Sequence, residues 1–329
     1  MNSRLEQGSM VTVFGGTGFI GRYAVRALAR EGWRVRAAVR RPDLAGYLQP
    51  MGAVGQIHAV QANVRYPDSV RRAVEGSDAV VNLVGVLTNS GDQSFEAINV
   101  VGADVIAKAA REAGVRTLVH VSAIGASRSS KGLYGRSKAA GENAVTKRFA
   151  EAIILRPSVV FGPEDAFFNR FASLARMGPW VPLPLIGGGK TRFQPVFAGD
   201  VAAAVAAAAA GRAKPATVYE LGGPEVLTFR EILDLTQTWS GHRSWYLHLP
   251  FTLAKLAALA TLPFPGSLRP LTVDQVRMLQ QPNVVSPAAV AEERTLAGLG
   301  RPSPHAAATI VPTYLERFQP KGQYSHYRG

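Results

Sequence analysis

The sequence predicts an α/β fold, and three observations lead to that prediction. Short apolar runs alternate with longer helical segments over residues 11–216. Runs such as VVNLV and TLVHVS lack the in–out alternation of a half-exposed strand, which is typical of strands buried on both faces of a parallel sheet. A glycine cluster joins the first apolar run to the first helical segment. Together these features predict a doubly wound parallel sheet of the Rossmann type.

The predicted elements follow one another at the spacing of β-α-β units. The predicted strands are Met10–Phe14, Arg34–Val39, Ile57–Gln61, Ala79–Val84, Thr117–Ser122 and Ala152–Leu155. The predicted helices between them are Gly18–Glu31, Pro67–Glu75, Ala97–Ala113 and Tyr134–Thr146. An alanine-rich helix is expected over Val201–Ala210.

The character of the chain changes after Pro157, because glycine and proline recur and interrupt every longer element. We therefore expect a nucleotide-binding domain over residues 10–222, with 158–193 contributing to a small mixed C-terminal lobe. Residues 223–329 are expected to form the rest of that lobe and a polar, aromatic tail from Gln319 to Gly329.

Composition excludes several classes of protein. Hydrophobic residues make up 47% of the 329-residue chain and charged residues 18%, which excludes a disordered protein. The absence of cysteine excludes a disulfide framework, a thiolate metal site and a cysteine nucleophile. No apolar run reaches the roughly 18 residues of a membrane-spanning helix. The polar segment Met1–Gly8 has the pattern of neither a signal nor a transit peptide, so we expect a reducing, cytosol-like compartment.

The chain is strongly basic, with 37 Lys and Arg against 23 Asp and Glu and a net charge of +14. A basic protein can face nucleic acid, an anionic membrane or an acidic protein. Nucleic-acid binding calls for clustered basic residues with interleaved aromatics, whereas the basic residues here are scattered. We therefore expect no nucleic-acid partner and favour a membrane or protein surface.

Glycines at positions 15, 18 and 21 form a GxxGxxG pattern between the first strand and the first helix. In such a turn Gly15 permits the tight bend, Gly18 lets the backbone approach a pyrophosphate, and Gly21 allows the helix to pack on the strand. The helix N-terminus then offers free amides to phosphates. The sequence therefore predicts a dinucleotide site.

The end of the second strand predicts which dinucleotide binds. An NAD site has an acidic residue here for the ribose 2′-hydroxyl, whereas this strand ends in Arg40-Arg41. A guanidinium suits a 2′-phosphate, and Arg22 could add a second contact. We therefore favour NADP(H), although the two arginines could also be solvated residues of a loop. Asn63 is placed to meet the adenine edge, and the segment Asn82–Gly85 is placed to line the cofactor from the other side.

Tyr134 and Lys138 form a YxxxK pair, which shares one face of a helix. A lysine ammonium beside a tyrosine is expected to lower the pKa of the phenol, so that it can exchange a proton. Ser122 ends the preceding predicted strand and could polarise a carbonyl group.

These motifs resemble a known family. GGTGFIG, NLVG, INVVGA with Asn99, HVSAIGA, YGRSK and LRPSVVFG are similar to the short-chain dehydrogenase/reductase superfamily, in its extended or atypical branch. LQPMGAVGQI, the segment Phe167–Phe171 and the late PLTVDQVRML and PTYLERF resemble one family within it more closely. This is the family of NADPH-binding accessory subunits of respiratory complex I, NADH:ubiquinone oxidoreductase, and the resemblance covers residues 10–320.

The resemblance implies a tightly held NADPH that is not turned over, in a subunit of the hydrophilic arm near the membrane and the quinone site. It implies that Tyr134 and Lys138 bind the nicotinamide ribose, with Pro157 and Ser158 beside the ring. The full set of expected cofactor-binding residues is Gly15, Thr17, Gly18, Phe19, Ile20, Gly21, Arg22, Arg40, Arg41, Asn63, Val64, Leu83, Val84, Gly85, Asn99, Ser122, Tyr134, Lys138, Pro157 and Ser158.

One departure bears on catalysis. Only Ser122 remains of the serine-rich run that extended members carry after this strand, and the loop from there to Tyr134 is short. We therefore treat Ser122, Tyr134 and Lys138 as vestiges of a catalytic set and expect no catalytic role for the chain itself. The alternative is a free NADPH-dependent reductase or epimerase of the extended type, since fold alone does not fix function.

The predicted partners are other complex I subunits and the lipid surface of the inner membrane, on the cytoplasmic side in a bacterium or the matrix side in a mitochondrion. The apolar segment Phe251–Leu262 could lie on a bilayer, although a buried helix of the lobe is the favoured interpretation. His242, His248, His305 and His326 show no metal-ligand spacing, so no metal site is expected.

Overall fold

The computed structural model describes residues 8–89, 91–260 and 271–319. These residues fall into two units, each assembled from several stretches of the chain. The first unit contains residues 8–157, 198–221 and 285–302, and the second contains the remaining described residues.

A seven-stranded parallel sheet forms the centre of the first unit, with the strand order β3-β2-β1-β4-β5-β6-β11. Its strands are β1 (Met10–Phe14), β2 (Arg34–Val39), β3 (Ile57–Gln61), β4 (Ala79–Asn82), β5 (Thr117–Val121), β6 (Ile153–Pro157) and β11 (Val218–Leu221). Val11 in β1 pairs with Val35 on one side and Ala79 on the other, and the side chains of all three are inaccessible to solvent. The predicted doubly wound parallel sheet is therefore confirmed.

Helices pack on the sheet in two layers. They are α1 (Phe19–Arg30), α2 (Pro67–Val74), α3 (Gly102–Glu112), α4 (Leu133–Arg148), α6 (Ala198–Ala209) and the short α10 (Pro287–Ala291), with 3₁₀ turns at Pro42–Leu44, Gly46–Met51 and Ala297–Leu299. Helix α1 packs against α6, whereas α3 packs against both α2 and α4. A wider π-helical turn, Glu96–Val101, precedes α3, so the predicted helix Ala97–Ala113 is two segments of different geometry.

The second unit contains three two-stranded sheets and five helices, three of which surround an aromatic core. Its strands pair as β7 (Val160–Phe161) with β10 (Val196–Phe197), β8 (Leu183–Ile186) with β13 (Tyr246–Leu249), and β9 (Arg192–Phe193) with β12 (Leu227–Thr228). Its helices are α5 (Phe168–Arg176), α7 (Phe229–Ser240), α8 (Phe251–Ala260), α9 (Val273–Met278) and α11 (Ala307–Leu315), with 3₁₀ turns at Gly178–Trp180, Gly187–Gly189 and Glu316–Phe318. Phe161, Phe168 and Phe229 are buried at its centre.

The structure differs from the sequence-based division at residues 285–302, which were expected in the C-terminal lobe. Here they pack on the edge of the large sheet. Arg294 donates to the carbonyl of Val218 at 2.7 Å, and the amide of Ser286 donates to Glu220 at 2.7 Å. No sequence pattern indicates these long-range bonds, or β11 itself, which has only four residues. Most of the predicted tail Gln319–Gly329 lies outside the described residues.

Candidate dinucleotide site

The glycine turn between β1 and α1 is held by its own backbone. The amide of Gly15 donates to the carbonyl of Ala38 at 3.2 Å, and the amide of Gly18 donates to the carbonyl of Gly15 at 2.9 Å. Gly15 has a φ of 81°, a conformation that favours glycine. A Cβ atom on Gly21 would lie only 2.0 Å from the Gly15 carbonyl oxygen. Both positions therefore require glycine.

Helix α1 begins at Phe19, directly after this turn, and no side chain caps its N-terminus. The aromatic ring of Phe19 packs on Tyr23, and Thr17 and Ile20 are half-buried beside it. An uncapped helix start presents amide donors and the positive end of the helix dipole. This arrangement suits the phosphates of a dinucleotide.

The arginines that follow β2 differ in their surroundings. Arg41 makes an ion pair with Asp43 at 2.8 Å, and this contact raises the pKa of Arg41 and lowers that of Asp43. Arg40 is exposed, and within the described residues no carboxylate pairs with it. Of the two arginines that follow β2, Arg40 is therefore the one whose charge is not already neutralised.

Tyr47 is a residue of this region that the sequence did not identify. Its ring lies 5.3 Å from the guanidinium carbon of Arg22, and its hydroxyl donates to the carbonyl of Thr17 at 2.9 Å. The tyrosine therefore ties the glycine turn to the 3₁₀ turn after β2. No local motif marks it, because the contact joins residues thirty positions apart.

The segments that follow β3 and β4 contain further residues of the predicted cofactor site. The side-chain oxygen of Asn63 accepts from the amide of Arg65 at 3.1 Å, which leaves its amino group to donate elsewhere. Val64 is 6% exposed and belongs to the core that includes Ile98, so its side chain is structural. The backbone of Leu83 and Val84 lies within 3.4 Å of the Cβ position of Gly15, which packs the segment after β4 on the glycine turn.

Asn99 connects that segment to α4. Its side-chain oxygen accepts from the amide of Val86 at 3.0 Å, and its amino group donates to the hydroxyl of Ser137 at 3.0 Å and to the carbonyl of Val86 at 3.3 Å. Asn99 is 1% exposed. With both amino hydrogens engaged by the protein, Asn99 positions Gly85 and its neighbours.

Lys138 is buried, with 4% of its surface exposed. Its ammonium donates to the carbonyl of Val121 at 2.9 Å. Desolvation lowers the pKa of Lys138 to about 8, although the charge of Glu142 opposes this effect. A Cβ atom on Gly85 would lie 3.6 Å from the ammonium nitrogen, so the loop after β4 passes directly beside this cation.

The pKa of the Tyr134 phenol differs from what its spacing from Lys138 suggested. The side chain is half-buried, with its ring 6.1 Å from that of Phe95. Burial raises the pKa of Tyr134 to about 12. The expectation that Lys138 lowers the pKa of the phenol does not hold in this structure, because desolvation is the cause that shifts the pKa of Tyr134.

Ser122 directly follows β5 and is 4% exposed. Its amide donates to the carbonyl of Leu155, but within the described residues its hydroxyl has no hydrogen-bond partner. A buried hydroxyl without a partner is costly, and such a group commonly marks a place where a ligand or water completes the bonding.

His120 is a second site-related residue that sequence reasoning missed. Asn82 and His120 are paired in register on β4 and β5, and their side chains are 3.0 Å apart. Because the Asn82 oxygen accepts from the amide of Val84, its amino group faces the imidazole and makes Nδ1 the acceptor. Burial, assisted by the charge of Lys138, holds the pKa of His120 well below its usual value, so the ring is neutral. Polar residues at the carboxyl ends of neighbouring strands were the available signal.

The last two predicted residues fall in different units. Pro157 ends β6 in the first unit, where its carbonyl accepts from the amide of Ile124 at 2.9 Å. Ser158 begins the second unit, and its hydroxyl lies 2.6 Å from the side-chain oxygen of Asn283. That hydroxyl therefore already has a partner in the protein.

Two kinds of feature are absent from the described residues. No three histidine or carboxylate side chains among them are placed to hold a metal ion. No helix among them is long and apolar enough to cross a bilayer.

Comparison with known proteins places this chain in a family. The model of the NAD dependent epimerase/dehydratase family matches residues 11–222, which is well over half of the chain. The chain belongs to this epimerase/dehydratase family. The Escherichia coli NADPH-dependent quinone oxidoreductase, solved with NADPH, superposes with a TM-score of 0.71 at 19% identity, covering 93% of this chain and all of that one. At 19% identity, this likeness supports the fold of the chain and nothing about its function.

Other known proteins are more similar to this chain in sequence. The protein is 37% identical to the Arabidopsis thaliana NADH dehydrogenase (ubiquinone) 1 alpha subcomplex subunit 9, mitochondrial, over 85% of this chain and 71% of the relative. It is 42% identical to the mouse protein of the same name, over 59% of this chain and 51% of that relative. The match thus spans about half the length of the mouse relative. Both relatives are named as subunits of NADH dehydrogenase (ubiquinone), as the sequence resemblance implied.

Proposed function

We propose that this protein is a non-catalytic, NADPH-loaded accessory subunit of proton-pumping NADH:quinone oxidoreductase, complex I. In this role it supports the assembly and stability of the hydrophilic arm near the quinone site. The observation that carries the proposal is the 37% identity, over 85% of the chain, to a relative named as a subunit of that enzyme.

Three features of the first unit fit a bound dinucleotide. The turn at Gly15 and Gly21 leaves no room for a side chain, the start of α1 is uncapped, and the buried hydroxyl of Ser122 lacks a protein partner. When bound, a nicotinamide dinucleotide supplies a hydride-carrying ring and a negatively charged pyrophosphate. The amides at the start of α1 would hold the phosphates, the amino group of Asn63 would face the adenine, and Ser122 would donate its hydroxyl to the cofactor.

The surroundings of Tyr134 and Lys138 favour binding over turnover. A proton-exchanging tyrosine works best with a pKa near the working pH, whereas burial raises that of Tyr134 to about 12. One of the three N–H donors of the Lys138 ammonium is bonded to the carbonyl of Val121, which leaves two for a ribose. In our proposal both residues clamp the nicotinamide ribose without exchanging a proton with a substrate.

The choice of NADPH over NADH depends on Arg40. A guanidinium without a carboxylate partner can meet a 2′-phosphate, and hydrogen bonds between charged groups contribute about 1.5–3 kcal/mol. Arg40→Ala is therefore expected to weaken NADPH binding about tenfold or more and to leave NADH binding nearly unchanged. Arg34→Ala, an exposed arginine at the other end of β2, is the matched control. Titration calorimetry with both nucleotides decides, and an equal loss for NADPH and NADH would contradict the NADPH assignment.

We also propose that the protein is peripheral on the inner membrane, with α8 at the lipid surface. Leu253, Leu256 and Leu259 of α8 are 47–61% exposed. Trp180 and Trp245 of the same unit are 89% and 54% exposed. Tryptophan and leucine on a basic protein are the residues that favour a bilayer interface. In a bacterium this surface would be the cytoplasmic side of the membrane, and in a mitochondrion the matrix side.

The test of membership in complex I is gentle detergent extraction of native membranes, followed by native gel separation and mass spectrometry. We expect this chain in the very large band that carries NADH:quinone oxidoreductase activity. A small soluble species apart from that activity would contradict the proposal and favour the free reductase or epimerase.

A second measurement removes the hydroxyl of Tyr134 to distinguish the accessory subunit from the free reductase. Tyr134→Phe would abolish the turnover of a free reductase but is expected to leave the assembly and activity of complex I nearly unchanged. NADPH binding is the control in both cases. If the variant loses a measurable NADPH-dependent reductase activity of the purified protein, the non-catalytic assignment is wrong.

A further inference from the structure

A groove of about 740 Å³ runs between α3 and α4 on the outer surface of the first unit. Its floor consists of small or short apolar side chains, contributed by Val100, Ala140 and Ala144, all of them half-buried. None of these residues belongs to the dinucleotide site. A floor of this kind lets another backbone approach closely, as in helix packing.

Cations line this groove. Arg128 and Lys147 are exposed and Arg136 is half-buried, and no carboxylate among the described residues pairs with any of the three. The side-chain oxygen of Asn143 holds the Arg128 guanidinium at 3.1 Å, and the carbonyl of Ser130 accepts from Arg136 at 2.8 Å. Two of the cations are therefore held in place before any partner arrives.

Two of the charged residues that line the groove neutralise each other. Arg148 and Asp104, which also line it, form a two-point ion pair with distances of 2.8 and 3.2 Å. Asp104 is the sole acidic residue that contributes to the lining. After this pair is set aside, the groove keeps three positive charges above an apolar floor.

The spacing of the charges indicates the size of the occupant. Arg136 and Lys147 are eleven residues apart on α4, which corresponds to about 16 Å along a helix. A single phosphate group, only a few ångströms wide, cannot reach both. A helix lying along the groove can place one carboxylate near each end and another near Arg128.

We propose that this groove binds an acidic amphipathic helix of another protein. The apolar stripe of that helix would lie on Val100, Ala140 and Ala144, and its Asp or Glu side chains would meet the three cations. A second copy of this chain fits poorly, because it would bring the same positive charges to the same face. The proposal does not depend on complex I membership, which decides only which protein supplies the helix.

The first test uses zero-length carbodiimide crosslinking in native membranes, which joins a lysine amine to a carboxylate in direct contact. We expect Lys147 to be coupled to an Asp or Glu in a helical segment of a different protein, as identified by mass spectrometry. Lys147→Arg keeps the charge but removes the amine, so it must abolish that crosslink. The proposal would be overturned if Lys147 is coupled only within this chain or only to a second copy of it. It would also be overturned if Lys147 is recovered unmodified.

The second test reverses the charge without touching the interior. The double variant R128E/K147E should reduce the fraction of this chain that migrates with its partner about tenfold or more, since like charges across an interface are strongly unfavourable. R26E/R30E makes the same charge change on two exposed residues of α1, in the other helix layer, and should leave that fraction unchanged. An unchanged melting temperature and NADPH affinity confirm that both variants fold.

The outcomes separate this proposal from the proposed function. If Lys147 couples to an acidic helix of a protein outside complex I, the groove assignment stands and complex I membership is contradicted. If the wild-type chain migrates with complex I and R128E/K147E migrates equally well, membership stands and the groove assignment is wrong. If R128E/K147E still migrates with the partner but binds less than the wild type to vesicles containing phosphatidylglycerol, the three cations face a lipid surface. That outcome would also show that the groove does not bind a helix.

Discussion

Helices α4 and α8 differ in whether charged residues are among those that they bury. In α4 the charged residues Lys138 and Glu142 face the interior, with 4% and 8% of their surface exposed. In α8 the interior side carries Ala254 and Ala258, while leucines such as Leu256 lie outside. The comparison teaches that hydrophobicity alone does not select the buried face of a helix, since the groups that the neighbouring elements offer also decide it.

The neighbours explain each case. Glu142 is bonded by Arg156 in a two-point contact of 2.8 and 2.6 Å, and the Val121 carbonyl accepts from Lys138, so these buried ionic groups have partners. In α8 the two alanines pack in a small cluster with Ile186 and Val276. The expectation of a buried lobe helix over Phe251–Leu262 therefore holds, in the described part of that segment, only for the side that carries Ala254, Ala258 and the half-buried Phe251.

The largest effect is expected from Glu142→Gln, which removes the two-point carboxylate partner of the half-buried Arg156 and leaves Glu220 as the remaining negative charge that acts on it. Loss of one member of such a pair costs about 3–5 kcal/mol. Glu151→Gln is the matched control, because Glu151 is exposed and lies 3.9 Å from Arg111; a surface pair contributes at most about 1 kcal/mol. Urea unfolding measures both, and equal costs would show that α4 does not depend on its buried charges.

Ala254→Leu tests the covered side of α8. A buried alanine packed in a full cluster leaves little room for three more carbons, so the variant is expected to lose about 1–3 kcal/mol of unfolding free energy. Ala260→Leu, on an exposed position of the same helix, should change stability by less than about 0.5 kcal/mol. Similar small values for both would mean that α8 is not packed through its alanines.

Lys138 predicts a pH dependence of stability. Its pKa is about 8 in the folded protein and 10.5 when solvated, so the unfolded chain binds more protons between these values and stability rises with pH through that window. Relative to Lys138→Met, the nucleotide-free wild type should gain about 2 kcal/mol between pH 7 and about pH 9.5. Lys131→Met, an exposed control, should show a constant offset from wild type. A constant offset for Lys138→Met as well would contradict the desolvation of its ammonium.

The smallest effect on stability is expected on the outer side of α8. Leu256 is 61% exposed, so Leu256→Ser should change the unfolding free energy by less than about 0.5 kcal/mol. If α8 lies at a lipid surface, however, the variant should bind less to vesicles in a flotation assay. Leu44→Ser, at a 63% exposed position of the first unit, is the matched control. Unchanged vesicle binding for Leu256→Ser would show that α8 does not lie at the lipid surface.

The glycine turn and the YxxxK pair show how far sequence reasoning reached within the site. For the turn, the motif predicted the geometry, because Gly15 and Gly21 are constrained by backbone atoms only a few residues away. For Tyr134 and Lys138 the spacing correctly predicted one helix, but the chemistry depended on burial, and the pKa of the phenol moved opposite to the expected direction. Tyr47 and His120 were missed because each contacts the site through residues distant in sequence.

The sequence by itself determined the parallel α/β fold, the position of the dinucleotide turn and the family, since short-range patterns of apolar residues and glycines encode all three. Only the tertiary structure decided that Arg41 is neutralised while Arg40 is not, that residues 285–302 pack on the large sheet, and that α8 exposes its leucines. The physical reason is that charge neutralisation, desolvation and packing are set by atoms brought together from distant parts of the chain.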